Sequence, residues 1–213
     1  VKILLERDDV NPNKPNKYDR TPLHCASQNG HERVVKILLE QDDVGPDQLD
    51  NYGKTPLCCA AESGHEGVVK ILLERGDVNP SKPDNRGERP LCYAARNGHE
   101  TVVKVLLGRD DVNPDEPNND GRTPLWWASR NGHQRVLRTL LGLHEVNPDR
   151  QDIRGRTPLL WAACNRHKEV VKILLKRSEV YPEKSVNGRQ TPLTFVCCLK
   201  RARRSGEDTT RAG

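Results

Sequence analysis

The histidines are the first residues in this chain whose type and spacing could do chemistry. His31, His65, His99, His133 and His167 recur at a constant step of 34 residues. Imidazole serves as a metal ligand and as a general base, so a periodic row invites a metal array. The spacing argues otherwise. One histidine per unit leaves neighbours about a layer apart, whereas zinc needs ligands that converge on one point. The chain's 7 cysteines make no C-x-x-C pair, and the adjacent pairs Cys58–Cys59 and Cys197–Cys198 have neither zinc-finger spacing nor a plausible disulfide framework. They read as small hydrophobic filler. Free thiols point to a reducing compartment, so an intracellular location, cytoplasmic or nuclear, is expected. His24 and Cys25 are neighbours in sequence but fall on different helical faces. No glycine-rich phosphate loop follows a strand pattern. The expectation is a protein with no catalytic residues, no metal and no cofactor.

The chain has 3 tryptophans, Trp126, Trp127 and Trp161, and the last two stand 34 residues apart. Two readings are open for them. They fill space between helices, or they form an aromatic anchor for a partner, since tryptophan is enriched among binding hot spots.

The period that carries the histidines also organises everything else. Pro-Leu recurs at Pro22, Pro56, Pro90, Pro124, Pro158 and Pro192, and Val35-Lys36-Ile37-Leu38-Leu39 is echoed at Val69 to Leu73 and at Val171 to Leu175. Val1-Lys2-Ile3-Leu4-Leu5-Glu6 repeats Val35 to Glu40, so the sequence is expected to start inside a repeat and to be part of a longer protein. Within a unit, Thr21 before Pro22 suits an N-cap followed by a proline in the first helical turn. Leu23, Ala26 and Ser27 fall on one face, which predicts a helix over about 22–28, and Asn29-Gly30 ends it. Val34, Val35, Leu38 and Leu39 make the apolar stripe of a second helix over about 32–40. The Asp-Val-x-Pro stretch that follows is polar, proline-rich and non-helical. Helices this short do not persist alone in water, so they must be stabilised by stacking on their neighbours.

That architecture accounts for a composition that otherwise looks disordered. Only 34% of residues are hydrophobic and mean hydropathy is −0.81. A solenoid has a thin core and a large polar surface. The net charge of +5 is concentrated in the tail, where Lys200, Arg201, Arg203, Arg204 and Arg211 against Glu207 and Asp208 account for +3. The body is nearly neutral, which weakens a phosphate-binding reading based on bulk charge. No apolar run reaches the roughly 18 residues of a membrane span.

The motifs Thr21-Pro22-Leu23-His24-Cys25-Ala26, Asn29-Gly30-His31 and Val34-Val35-Lys36-Ile37-Leu38-Leu39 resemble the ankyrin repeat closely, over essentially residues 1–198. The Trp-x-x-Leu-Gly signature of tetratricopeptide repeats, which share the period, occurs nowhere. The resemblance implies an all-α fold, an ankyrin-repeat α-solenoid of stacked helix-turn-helix units with projecting hairpin loops. The repeats are expected at 16–49, 50–83, 84–117, 118–151 and 152–185. Half repeats at 1–15 and 186–198 flank them, and a basic polar tail fills 199–213. The usual ankyrin period is 33, and the additional residue is placed in the hairpin loop; this 34-residue variant looks similar to large fungal ankyrin arrays. By the same resemblance the recurring histidine opens the second helix and is structural. Three departures stand out: Arg89 replaces the capping Thr, Arg166 replaces the Gly before His167, and no Gly-His follows Val196-Cys197.

What the family resemblance implies about function is partner binding through hairpin tips and the exposed ends of the first helices. Carried over position by position, this selects Tyr18, Arg20, Tyr52, Lys54, Arg86, Arg122, Arg154 and Arg156 at the tips, with Arg96 and Arg130 at helix ends. Trp126, Trp127 and Trp161 join them under the aromatic-anchor reading. These positions vary between otherwise similar repeats, so packing does not dictate them. The first reading is a monomeric scaffold for a protein partner. A second is the ligand-sensing arm of a larger signalling NTPase or other enzyme, and a third, weaker one is nucleic-acid binding.

Overall fold

In the computed structural model, residues 11–181 are described. The expected helix at Val1–Glu6, the half-unit at Thr191–Cys198 and the basic tail lie outside the described residues. Ten helices occur among those residues, and no strand. They alternate along the chain as first and second helices of five pairs: α1 (Pro22–Gln28) with α2 (Glu32–Leu39), α3 (Pro56–Ser63) with α4 (Glu66–Leu73), α5 (Pro90–Asn97) with α6 (Glu100–Leu107), α7 (Pro124–Asn131) with α8 (Gln134–Leu141), and α9 (Pro158–Cys164) with α10 (Lys168–Leu175). The expected first helix matches α1, and α2 ends one residue short of the expected limit, with Glu40 as its C-cap.

Each boundary has a local cause. The hydroxyls of Thr21, Thr55, Thr123 and Thr157 accept a hydrogen bond from the backbone N–H of the third residue of the helix each one caps. Each following proline sits where an N–H would be unsatisfied in any case. Arg89 makes no such bond to α5, as the sequence foretells. Its guanidinium instead donates to the carbonyls of Gly87 and Pro117 and pairs with Glu116 at 3.2 Å.

Leu23, Leu57, Leu91, Leu125 and Leu159 are all buried, together with the valines and leucines of the second helices. The valine that follows Asp or Glu after each second helix (Val44, Val78, Val112, Val146 and Val180) also reaches the core. First helices pack against one another more closely than second helices do. Ala and Ser at positions such as Ala26, Ala60, Ala94 and Ala128 permit the approach. A stack whose rows differ in this way bends toward the tighter row, which puts the first helices on its concave side.

The hairpin loops join in register through backbone bonds: Asn51 N–H to Tyr18 O, Asn85 N–H to Tyr52 O, Asn119 N–H to Arg86 O and Ile153 N–H to Asp120 O, each at 3.0–3.1 Å. Every tip is closed by one side chain. Asp50 Oδ1 accepts from the N–H groups of Tyr52 and Lys54, and Asp84, Asn118 and Asp152 do the same in their repeats.

The histidine row is a structural tie. The Nε2–H groups of His65, His99, His133 and His167 donate to the carbonyl oxygens of Gln28, Glu62, Arg96 and Arg130 at 2.9–3.0 Å. Each acceptor lies in the last turn of the first helix one repeat earlier, where carbonyls have no intrahelical partner. The ring therefore satisfies an orphan acceptor across every interface.

Candidate partner-binding surface

Three columns of residues run along the first-helix side, one member per repeat. The loop column is Arg20, Lys54, Glu88, Arg122, Arg156. The second column, in the first turns of the helices, is Cys25, Cys59, Tyr93, Trp127, Trp161. The third, at or near the helix ends, is Gln28, Glu62, Arg96, Arg130, Cys164. The stack brings them together as neighbours. Arg20 Nη1 donates to Gln28 Oε1 at 3.1 Å, and Lys54 Nζ to Glu62 Oε2 at 2.7 Å. Lys54 also lies over the Tyr93 ring, 4.4 Å from its centroid, so one repeat's cation covers the next repeat's aromatic face.

Tyr93 is the member that reasoning from sequence passed over. Its signal was available: it stands 34 residues before Trp127. Its hydroxyl donates to Asp84 Oδ2 at 2.5 Å inside the protein, and burial, then the Asp84 carboxylate, raises its pKa well above the usual phenol range.

The densest part of the surface lies in the third to fifth repeats. Trp126 packs edge-on against Trp127, with centroids 4.8 Å apart, and against Trp161 at 5.4 Å, over the buried Cys92. Four guanidinium groups cover these rings. Arg96 lies over Tyr93 and Trp127, and Arg122 over Trp126 and Trp127. Arg130 reaches all three indoles, and Arg156 lies over Trp161. Cation–π contacts of this kind are worth about 0.5–2 kcal/mol each, more as they are desolvated.

This arrangement divides the predicted site residues. Tyr18 and Tyr52 are 45% and 54% exposed, and Arg86 and Arg154 are exposed on the tips, so all four face solvent. Arg96, Arg122, Arg130 and Arg156 form a half-buried layer. Of the two readings open for the tryptophans, Trp126 and Trp127 fit the space-filling one and not the anchor: they are 1% and 6% exposed, with arginines stacked over them. They fill the interior, and only Trp161 is partly open. Arg20 and Arg156 are occupied within the chain, by Asp50 at 3.1 Å and by Asp152 at 2.7 Å, and both carboxylates are fully buried.

Sequence models of ankyrin repeats, in three copies, match residues 1–84, 78–152 and 140–204. The chain belongs to the ankyrin-repeat family. Ankyrin repeats are generally protein–protein interaction modules, and proteins built from them are typically non-catalytic. A search of curated proteins returned no match. Among the described ankyrin residues, no helix is long and apolar enough to cross a membrane. Three of the five described cysteines, Cys58, Cys59 and Cys92, are buried as core filler, whereas Cys25 is exposed and Cys164 half-buried; burial pushes the Cys58 and Cys59 thiols up to about 11 and about 12. Thiols held this far above their ordinary value are poor nucleophiles at neutral pH.

Proposed function

We propose that this ankyrin array is a non-catalytic scaffold that holds a protein partner along its first helices and hairpin tips. One observation carries the reading. Two adjoining columns on the first-helix side, the loop column and the third column, change in charge from repeat to repeat. The Thr-Pro-Leu start, the linking histidine and the Val-Leu stripe recur, yet the third column changes from Gln28 to Glu62 to Arg96 to Arg130. A surface freed from packing demands but continuous across five repeats is suited to reading an extended partner. Its aromatic and arginine content matches what interfaces favour.

Affinity capture from cells expressing the tagged full-length protein tests this. Combined Tyr52→Ala, Arg86→Ala and Arg154→Ala should abolish capture of the partner while circular dichroism stays unchanged. Loss of capture by changes at Lys36, Lys70 and Lys104 on the second helices, with the tip variant still binding, would place the interface on the wrong side.

A further inference from the structure

The loop column and the third column stand eight residues apart in every repeat, and the pairing across them is complementary until the fourth. Arg20 meets the neutral acceptor Gln28, and Lys54 meets Glu62. In the third repeat the signs reverse, with Glu88 and Arg96. In the fourth, Arg122 and Arg130 put two cations where the first two repeats hold a donor and an acceptor. Both guanidinium groups lie against the same two indoles, Trp126 and Trp127.

The remaining carboxylates do not neutralise this place. Arg156 is held by Asp152, Arg122 is met on one side by Asp120 at 2.9 Å, and Arg96 reaches Glu62 at 3.7 Å. Arg130 has no ion pair among the described residues. Its backbone is fixed, since its carbonyl accepts from both Asn165 and His167. Burial, followed by the fields of Arg122, Arg156 and Arg96, lowers its pKa, though it stays charged. Stacking holds its guanidinium 4.9 Å from the Trp161 centroid. Little ordering entropy is left to lose when an anion binds. The tryptophans behind it exclude water, so attraction to an anion is less screened than on an open surface.

From this we infer that Arg122 and Arg130 form the acceptor for a carboxylate of an Asp or Glu side chain in the protein partner, with Arg96 and Arg156 adding to the field. The inference rests on the scaffold reading and names the chemistry of its anchor. A guanidinium pairs with carboxylate through parallel N–H···O bonds, and two of them can clamp a single one. Nucleic acid fits less well. A phosphate chain needs a track of cations, and here Glu62, Glu88, Asp120 and Asp152 stand beside the cluster.

The chain's 3 tryptophans all lie in the cluster, so selectively excited tryptophan emission reports on this place. The probe is acetylated, amidated hexaglutamate, compared with hexaglutamine and with hexathymidylate. Hexaglutamate should change the emission saturably, and hexaglutamine should not. Arg130→Gln should weaken hexaglutamate binding roughly tenfold, the order expected for loss of one charge-assisted bond. Arg122→Gln should act in the same direction, Arg130→Lys should retain part of the affinity, and Arg33→Gln, exposed on α2 away from the cluster, should retain all of it. Thermal unfolding of each variant establishes that it is folded. No response to hexaglutamate, equal binding of hexaglutamine, or unchanged affinity in folded Arg130→Gln would overturn the assignment. Tighter binding of hexathymidylate would overturn it in favour of phosphate. Failure here with partner capture still lost in the tip variant removes this anchor and leaves the scaffold reading standing; capture retained by the tip variant, with hexaglutamate binding lost in Arg130→Gln, removes the tips from that reading and leaves the anchor standing.

Discussion

The imidazole of His133 fills the space that a side chain on Gly98 would need: an added Cβ would stand 2.6 Å from Nδ1. Gly98 also has φ of +79°, a region that L side chains rarely adopt. The same glycine therefore ends one helix and leaves room for the tie to the next repeat. Gly98→Ala should cost about 2–3 kcal/mol, from left-handed strain and displacement of the ring. Gly76 is the contrast, since it is exposed, its φ is not positive and a Cβ there meets nothing within 4 Å. Gly76→Ala should be neutral or stabilise by up to about 1 kcal/mol. Urea unfolding of both variants checks the pair, and equal effects would show that the ring contact is unimportant.

Leu91 tests the core register. It is 2% exposed at the start of α5, between the α3 and α7 layers. Leu91→Ala should cost on the order of 2–5 kcal/mol, because neighbouring helices are fixed on both sides and the cavity cannot readily collapse. A measured loss under about 1 kcal/mol would contradict this packing.

The helices were legible because their limits are written locally. Thr21-Pro22 starts one and Asn29-Gly30 stops it, and neither signal depends on distant contacts. The aromatic–arginine layer was only half legible. Spacing identified Trp127 and Trp161 as equivalent, but not that one is buried and the other partly open. That difference arises between repeats: Arg96, Arg122 and Arg130 lie over Trp127, whereas Arg130 and Arg156 lie over Trp161. The charge pairing was hidden for a similar reason. Arg20 finds Asp50 a repeat further on, whereas Arg156 finds Asp152 within its own loop, so one column position uses two different partners. Sequence spacing identified the candidates, and stacking decided which of them remain free.

His24 should make stability fall on the acid side. Its ring is buried, with Nε2 donating to the Lys54 carbonyl at 3.0 Å and Nδ1 accepting from Thr21. Burial depresses its pKa below the ordinary histidine value, against the smaller opposing influence of that carbonyl. The unfolded chain binds a proton at His24 near pH 6.5, while the folded chain resists doing so until lower pH. The contribution is thus complete above about pH 6.5 and is lost as pH falls through the depressed folded value. Urea unfolding at pH 7 and pH 5 should show a smaller pH-dependent loss in His24→Gln than in the parent. An identical loss would mean that other groups carry the acid sensitivity.

Arg166 offers the last prediction, because it breaks the glycine rule at a place where half of the rule's cause has disappeared. It holds φ of +61°, at the position occupied by Gly30, Gly64, Gly98 and Gly132 in earlier repeats. Those glycines are required twice, once by the left-handed backbone and once by the histidine ring of the following repeat, which would meet a Cβ at 2.5–2.6 Å. The residue that would supply that ring after Arg166 is Arg201, not histidine. No imidazole recurs at that register, so the ring's share of the cost is gone and the backbone's share stays. Arg166→Gly should therefore stabilise the fifth repeat modestly, by about 0.5–1 kcal/mol, after the greater flexibility of glycine in the unfolded chain offsets part of the relieved strain. Gly132→Arg, placed against His167, should destabilise by more than twice that amount. Thermal unfolding of both variants decides the matter. If the two changes had equal and opposite effects, the backbone would explain both, and the histidine ring would have no part in the preference for glycine.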